Sequence, residues 1–165
     1  MVDSPTARVF GVVVTYQPQP ERLQKVLEAV ASQVQQLLVV DNSEAEEAQT
    51  QVQQAIEALK SFSAQGSHQA IVDLHKTDSN LGLSSAYNIA IERARNARAS
   101  HLLLLDQDSV VAGNMVNALL RGIERGEAEA ATLGMQGGPV MVGPWYTDEL
   151  TGAAQCCAAH RPVFG

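Results

Sequence analysis

Three short polar clusters in this sequence carry residue types able to do chemistry: Asp106-Gln107-Asp108-Ser109, Asp41-Asn42-Ser43 and Thr15-Tyr16. Two acids one residue apart repel each other. A divalent cation relieves that repulsion, and an all-oxygen pair suits Mg²⁺ or Mn²⁺ rather than zinc. Residues i and i+2 of an extended chain point to the same side, so strand geometry continued through Asp106 and Asp108 would aim both at one ligand. Taken alone, the motif reads equally well as a strand-end turn with two solvated acids. Asp41-Asn42-Ser43 could similarly cap a following helix, and Tyr16 could simply cover the end of a sheet.

Each cluster terminates an apolar run, and those runs are the elements that must position it. The leucines at 102–105 read as a central strand covered on both faces. Residues 8–16 are β-branched and apolar, and residues 36–40 repeat the pattern before Asp41. Between them Pro20 opens a helix whose Leu23, Val26, Leu27, Val30 and Val34 form one buried stripe. A second helix, from Glu44 to about Phe62, carries a narrower stripe of Ala48, Val52, Ala55, Ile56 and Leu59 and belongs on the outside. Residues 70–75 form a weaker strand, placed near a sheet edge. Asn80-Leu81-Gly82 is a turn in which Gly82 can take a positive φ, with Ser84 or Ser85 as the cap of a helix bearing Leu83, Ala86, Tyr87, Ala90, Ile91 and Ala94.

Beyond the acids, Asn114 caps a shorter helix with Met115, Val116, Leu119, Leu120 and Ile123 inward, ending over residues 126–129. Residues 130–135 and 140–142 are short strand candidates, and residues 151–165 show no complete element. Strands alternating with helices predict an α/β three-layer sandwich with a mainly parallel central sheet, in one domain over residues 1–165. Ligands of such sheets bind at the carboxyl ends of the strands, where all three polar clusters fall. Neither a Gly-x-Gly-x-x-Gly turn after the first strand nor a P-loop is present, so phosphates would depend on the metal.

Composition excludes several classes. Eleven basic against 18 acidic residues give a formal charge of −7, with no basic run to follow a phosphate backbone, so nucleic acid is not expected as a partner. No stretch reaches the ~18 consecutive apolar residues of a spanning helix, and the first residues lack the basic and apolar regions of a leader. A cytoplasmic chain without a transmembrane segment is expected. The adjacent Cys156 and Cys157 cannot form a conventional disulfide framework and suit a reducing compartment; with His160 they make only a thin metal pattern. His75 and His101 show no ligand spacing.

The motifs, taken in order, resemble the inverting nucleotide-sugar glycosyltransferases of family 2, with the A-type glycosyltransferase fold, and most of all bacterial rhamnosyltransferases. The resemblance rests on Val12-Val13-Val14-Thr15-Tyr16, Leu38-Val39-Val40-Asp41-Asn42-Ser43, Asn80-Leu81-Gly82 with Ala86 and Asn88, Leu104-Leu105-Asp106-Gln107-Asp108-Ser109 and Val142-Gly143-Pro144. It implies that Thr15 and Tyr16 line the base and ribose end of a pocket and that Asp41 hydrogen-bonds a pyrimidine imide. It further implies that Asn80 and Gly82 shape the pocket floor, that Asp106 lies toward ribose and metal, and that Asp108 holds the Mg²⁺ or Mn²⁺ bridging the diphosphate. The implied donor is a nucleoside-diphosphate sugar of dTDP or UDP type, such as dTDP-rhamnose. The implied acceptor is a glycan or lipid-linked molecule in cell-surface polysaccharide synthesis, with the chain cytoplasmic or peripheral at the inner membrane face.

In that family a general base follows well beyond the acid pair. Asp148 and Glu149 are the only acids after Glu129 and match no such motif. A donor-binding part, truncated before the acceptor half, is therefore expected to bind nucleotide but to transfer sugar poorly. Two other readings compete. A haloacid-dehalogenase-like phosphatase would use Asp106 as nucleophile and Asp108 as acid/base, but three strands precede the motif and no lysine follows Lys76. An inactive α/β interaction module would show no metal-dependent nucleotide binding.

Overall fold

Parallel strands buried on both faces need continuous apolar runs, and the first two runs meet that requirement. In the computed structural model, which describes residues 7–63, 70–134, 141–147 and 154–156, β1 (Val9–Thr15) and β2 (Gln36–Asp41) are almost wholly buried. With β3 (Ile71–Lys76) and β4 (His101–Asp106) they form a four-stranded parallel sheet in the order β3-β2-β1-β4. The register aligns Thr15 with Asp41 and Val14 with Asp106, so three polar-ended strands finish at one edge.

Contacts group the chain into two compact units, residues 1–113 and 114–165. In the first, helix α1 (Pro20–Ala31) packs on β1 and on α2 (Glu46–Ser63), which also meets β3. Leu23, Val26, Leu27 and Val30 are fully buried; at about 1.5–3 kcal/mol for each such side chain, this stripe fixes α1 firmly. Gly11 accommodates the approach. A Cβ there would meet Leu37 Cδ1 at 3.2 Å and Val34 at 3.3 Å. On the opposite face α3 (Gly82–Asn96) lays Ala86, Ala90 and Ala94 against Phe10, Val12, Leu38 and Val40. The small alanines let the helix sit close to the β-branched surface. Helix, sheet and helix are the expected three layers, and β3 is the edge strand its weak pattern suggested.

Several features differ from the sequence reading. Among the described residues the leucine strand β4 is not central: β1 alone is its neighbour, and Leu102 and Leu104 are 36% and 41% exposed. An unbroken leucine run records apolar character on both faces but not whether each face is covered. Helix α3 begins at Gly82, with Leu81 at the N-cap position and no side-chain cap, instead of at Ser84 or Ser85. Asn80 Oδ1 instead accepts the Gly82 N–H at 2.9 Å, an Asx turn that lets the chain enter the helix earlier.

In the second unit α4 (Met115–Thr132) runs past Gly126 through the expected strand at 130–132, because the Glu- and Ala-rich segment propagates a helix well. Asn114 occupies its N-cap position without a side-chain bond; Met115 and Val116 are buried, whereas Leu119, Leu120 and Ile123 are only partly so. Met141 and Val142 are not in a strand. The two described strands of that region instead are β5 (Trp145–Thr147) and β6 (Ala154–Cys156), an antiparallel pair whose second strand lies where no complete element was expected. His160, Cys157, Asp148 and Glu149 lie outside the described residues. No helix among the described residues is long and apolar enough to cross a membrane.

Candidate functional site

The site is built where β1, β2 and β4 give out. Asp41 ends β2 with no exposed surface, and its neighbours Asn42 and Ser43 are buried with it. Its Oδ1 accepts two hydrogen bonds, from Thr15 Oγ1 at 2.9 Å and from the Ser43 N–H at 3.1 Å. Its Oδ2, also buried, has no partner. A buried carboxylate oxygen without a donor is costly, so this atom is a ready acceptor for a ligand N–H. Because Oδ2 is sealed, a ligand reaches it only when a covering group moves.

The rest of the cluster is tied down by its own polar groups. Asn42 donates its N–H to the Thr15 carbonyl at 2.8 Å and Nδ2 to the Gly82 carbonyl at 3.4 Å. Thr77 donates its N–H and its hydroxyl to the Asp41 carbonyl, each at 3.0 Å. The Ser43 hydroxyl accepts the Gln17 N–H at 2.9 Å, and the Ser43 carbonyl accepts Gln49 Nε2 at 2.7 Å. The side chains of residues 41–43 therefore serve the ends of β1 and β3 and the start of α3, not the amides opening α2.

Thr15 is fully buried beside Asp41, while Tyr16, next in the chain, is 42% exposed. Asn80 and Gly82 are exposed, and the Gly82 carbonyl is tied to the cluster through Asn42; Asn88 faces solvent from α3. Asp106 aligns with Val14, which packs on the α3 side, whereas Asp41 and Thr15 face the α1 side. The two acids thus lie on opposite sides of the sheet end, and a ligand engaging both must cross over the end of β1. Tyr87 of α3 shares the Asp106 side. Burial first, and the Asp106 charge second, hold its hydroxyl above the ordinary tyrosine pKa.

The i, i+2 geometry expected for the acid pair is not found. Strand β4 stops at Asp106, and a turn follows in which the Ser109 N–H approaches the Asp106 carbonyl at 3.5 Å. Alternation ends with the ladder. Asp106 and Asp108 remain two exposed carboxylates at the border of the crevice. No group of three or more His, Cys, Asp or Glu that could hold a metal occurs among the described residues. Two carboxylates nevertheless fit a cation such as Mg²⁺, which is commonly held by one or two acids together with substrate phosphates. Among the histidines, His75 Nδ1 lies 3.4 Å from Arg93 Nη2, and His101 Nδ1 lies 2.9 Å from Ser100 Oγ.

A family model described as glycosyl transferase family 2 matches residues 12–159, a span that includes every cluster named above. The chain belongs to glycosyl transferase family 2. Its four-stranded parallel sheet with helices on both faces is consistent with the A-type glycosyltransferase fold. Family membership makes this a glycosyltransferase domain with a nucleotide-sugar donor, and it does not favour a phosphatase or an inactive scaffold. No curated protein matches the chain.

Several residues of this candidate site escape the sequence reading. Thr77, Gln17, Gln49, Gln107 and Arg22 all bond into the strand ends. All but Gln49, whose partner is six residues away, bond to residues far off in sequence, and glutamine and threonine are too common to stand out. Gln107 alone carried a signal, its place between the two acids.

Proposed function

We propose that this family-2 domain binds a pyrimidine nucleoside-diphosphate sugar across the carboxyl edge of its sheet, with Mg²⁺ or Mn²⁺ at Asp106 and Asp108. The observation that carries the reading is the partnerless Oδ2 of fully buried Asp41, on the same sheet edge as the acid pair. A pyrimidine imide offers the N–H that oxygen lacks. Thr15 and the Ser43 N–H hold the other oxygen in place, so the acceptor is aimed before the base arrives. Tyr16 covers the base from the mouth, and Asn80 and Gly82 line the floor.

At the other end Asp108, with Asp106, would hold the cation. When bound, it would supply Lewis-acid stabilisation of the charge that develops on a departing diphosphate. The donor is of dTDP or UDP type, with dTDP-rhamnose the candidate suggested by the motif resemblance. The acceptor of this reading is a glycan or lipid-linked molecule, and its general base is not among the residues assigned. Calorimetry with UDP and dTDP, with and without Mn²⁺, tests it. Binding that strengthens with Mn²⁺, and an Asp108→Ala variant that keeps the metal-free affinity but loses the gain, are expected. Silence in every titration would refute the donor site.

A further inference from the structure

Gln107 separates the two acids, and both ends of its amide bond the backbone of one residue. Oε1 accepts the Tyr16 N–H at 2.7 Å, while Nε2 donates to the Tyr16 carbonyl at 3.3 Å. In a parallel ladder the two peptide units flanking an opposed residue make that pair of bonds. The ladder between β1 and β4 ends at Val14 and Asp106, so Gln107 prolongs it with a side chain after the backbone of β4 has turned away. The loop it grips is held from the other side too, where the Gln17 N–H meets Ser43 Oγ with Gln17 at a φ of 46°. Arg22 of α1 adds a separate tie, its Nε donating to the Asp108 carbonyl at 2.7 Å.

We propose that Gln107 is a positioning residue that couples the acid pair to the nucleoside end of the crevice, setting how far Asp106 and Asp108 stand from Tyr16. The inference rests on the donor-site reading above. Without Gln107 each end keeps its own groups, but a single ligand no longer engages both in register. Residues that orient metal-binding groups without touching the metal typically change affinity by about 10–100-fold when lost.

The test is calorimetry on the full chain with UDP, uridine and Mn²⁺ as separate probes, comparing wild type with Gln107→Met, which keeps length and loses both bonds. The Mn²⁺-dependent gain in UDP affinity should fall by about tenfold or more. Affinities for uridine alone and Mn²⁺ alone should stay within about twofold, as separate sites behave. Gln33→Met is the control. It removes equally ordinary amide bonds, to the Ala29 and Ala112 carbonyls at 2.8 and 2.9 Å, and should leave the gain intact. Gln107→Asn, one methylene too short to grip Tyr16, should behave like the Met variant. A gain unchanged in the Gln107 variants, or uridine and Mn²⁺ affinities falling along with it, would overturn the inference while leaving the donor site standing. Loss of folding in both variants would overturn it as well, making Gln107 part of the scaffold. Absence of any Mn²⁺-dependent gain in wild type would overturn the donor-site reading itself.

Discussion

Replacing Asp41 with Asn gives the sharpest test of base recognition, because the structure dictates which way the new amide must point. Asp41 Oδ1 faces two donors, the Thr15 hydroxyl at 2.9 Å and the Ser43 N–H at 3.1 Å. A hydroxyl can reverse its role, but a backbone N–H cannot. The Asn oxygen is therefore held in the Oδ1 position, and its NH₂ falls where Oδ2 now has no partner. An acceptor aimed at the base becomes a donor. For a uracil or thymine N3–H this removes a hydrogen bond to a charged group, worth about 1.5–3 kcal/mol, and sets two donors against each other, costing about 1 kcal/mol or more. The sum is near ~3 kcal/mol, on the order of 100-fold in affinity. Cytosine presents an acceptor at N3, so CDP should lose nothing and should gain. Competition calorimetry with UDP and CDP in Mn²⁺ is expected to show the wild-type preference for UDP collapse or invert in Asp41→Asn. Parallel urea unfolding should show a stable fold, since Thr15 and Ser43 keep their acceptor. Equal loss of both nucleotides, or unchanged UDP binding, would refute base recognition by Asp41.

Two further outcomes follow from the geometry. Asp106→Asn should lower the Tyr87 pKa toward its ordinary value by removing the smaller of its two causes, as read from tyrosinate absorbance with Tyr87→Phe for assignment. The sign for stability is that the unfolded chain releases this proton first. Stability linked to Tyr87 is thus intact below pH ~10 and falls as pH rises through the folded pKa, a loss that Tyr87→Phe should remove. Gly82→Ala should destabilise by about 1–2 kcal/mol, seen as a lower urea midpoint at unchanged slope. Gly82 holds a φ of +77° and a Cβ there meets nothing within 4 Å, so the cost is purely backbone, and a neutral variant would contradict it.

Much of this architecture was legible because each signal was local. The β-branched runs before Thr15 and Asp41 specify buried parallel strands, and their polar ends mark where the three strands finish together. The 70–75 segment announced an edge strand by its weakness. Where the reading failed, the deciding partner was remote. Nothing within residues 102–105 says that Leu102 and Leu104 are partly exposed, and nothing within residues 106–108 says that the ladder stops at Asp106. The start of α3 was misplaced because Asn80 closes an Asx turn onto Gly82, a competitor to the serine caps that composition alone does not rank. The bonds of Gln107, Thr77 and Arg22 are invisible in the sequence for the same reason, since they exist only once distant strand ends are brought together.

The position of β4 has a consequence for how a transfer reaction could be laid out. Strands β1 and β2 are flanked on both sides and Asp41 is fully buried, so under the proposed function the base is identified deep in the protein, screened from water. Among the described residues strand β4 is a border, and the acids at its end are exposed. Under the proposed function, identity is checked inside and the bond to be broken is presented outside. An acceptor as bulky as a glycan could then approach along the rim of the sheet, with no need for the fold to part and admit it.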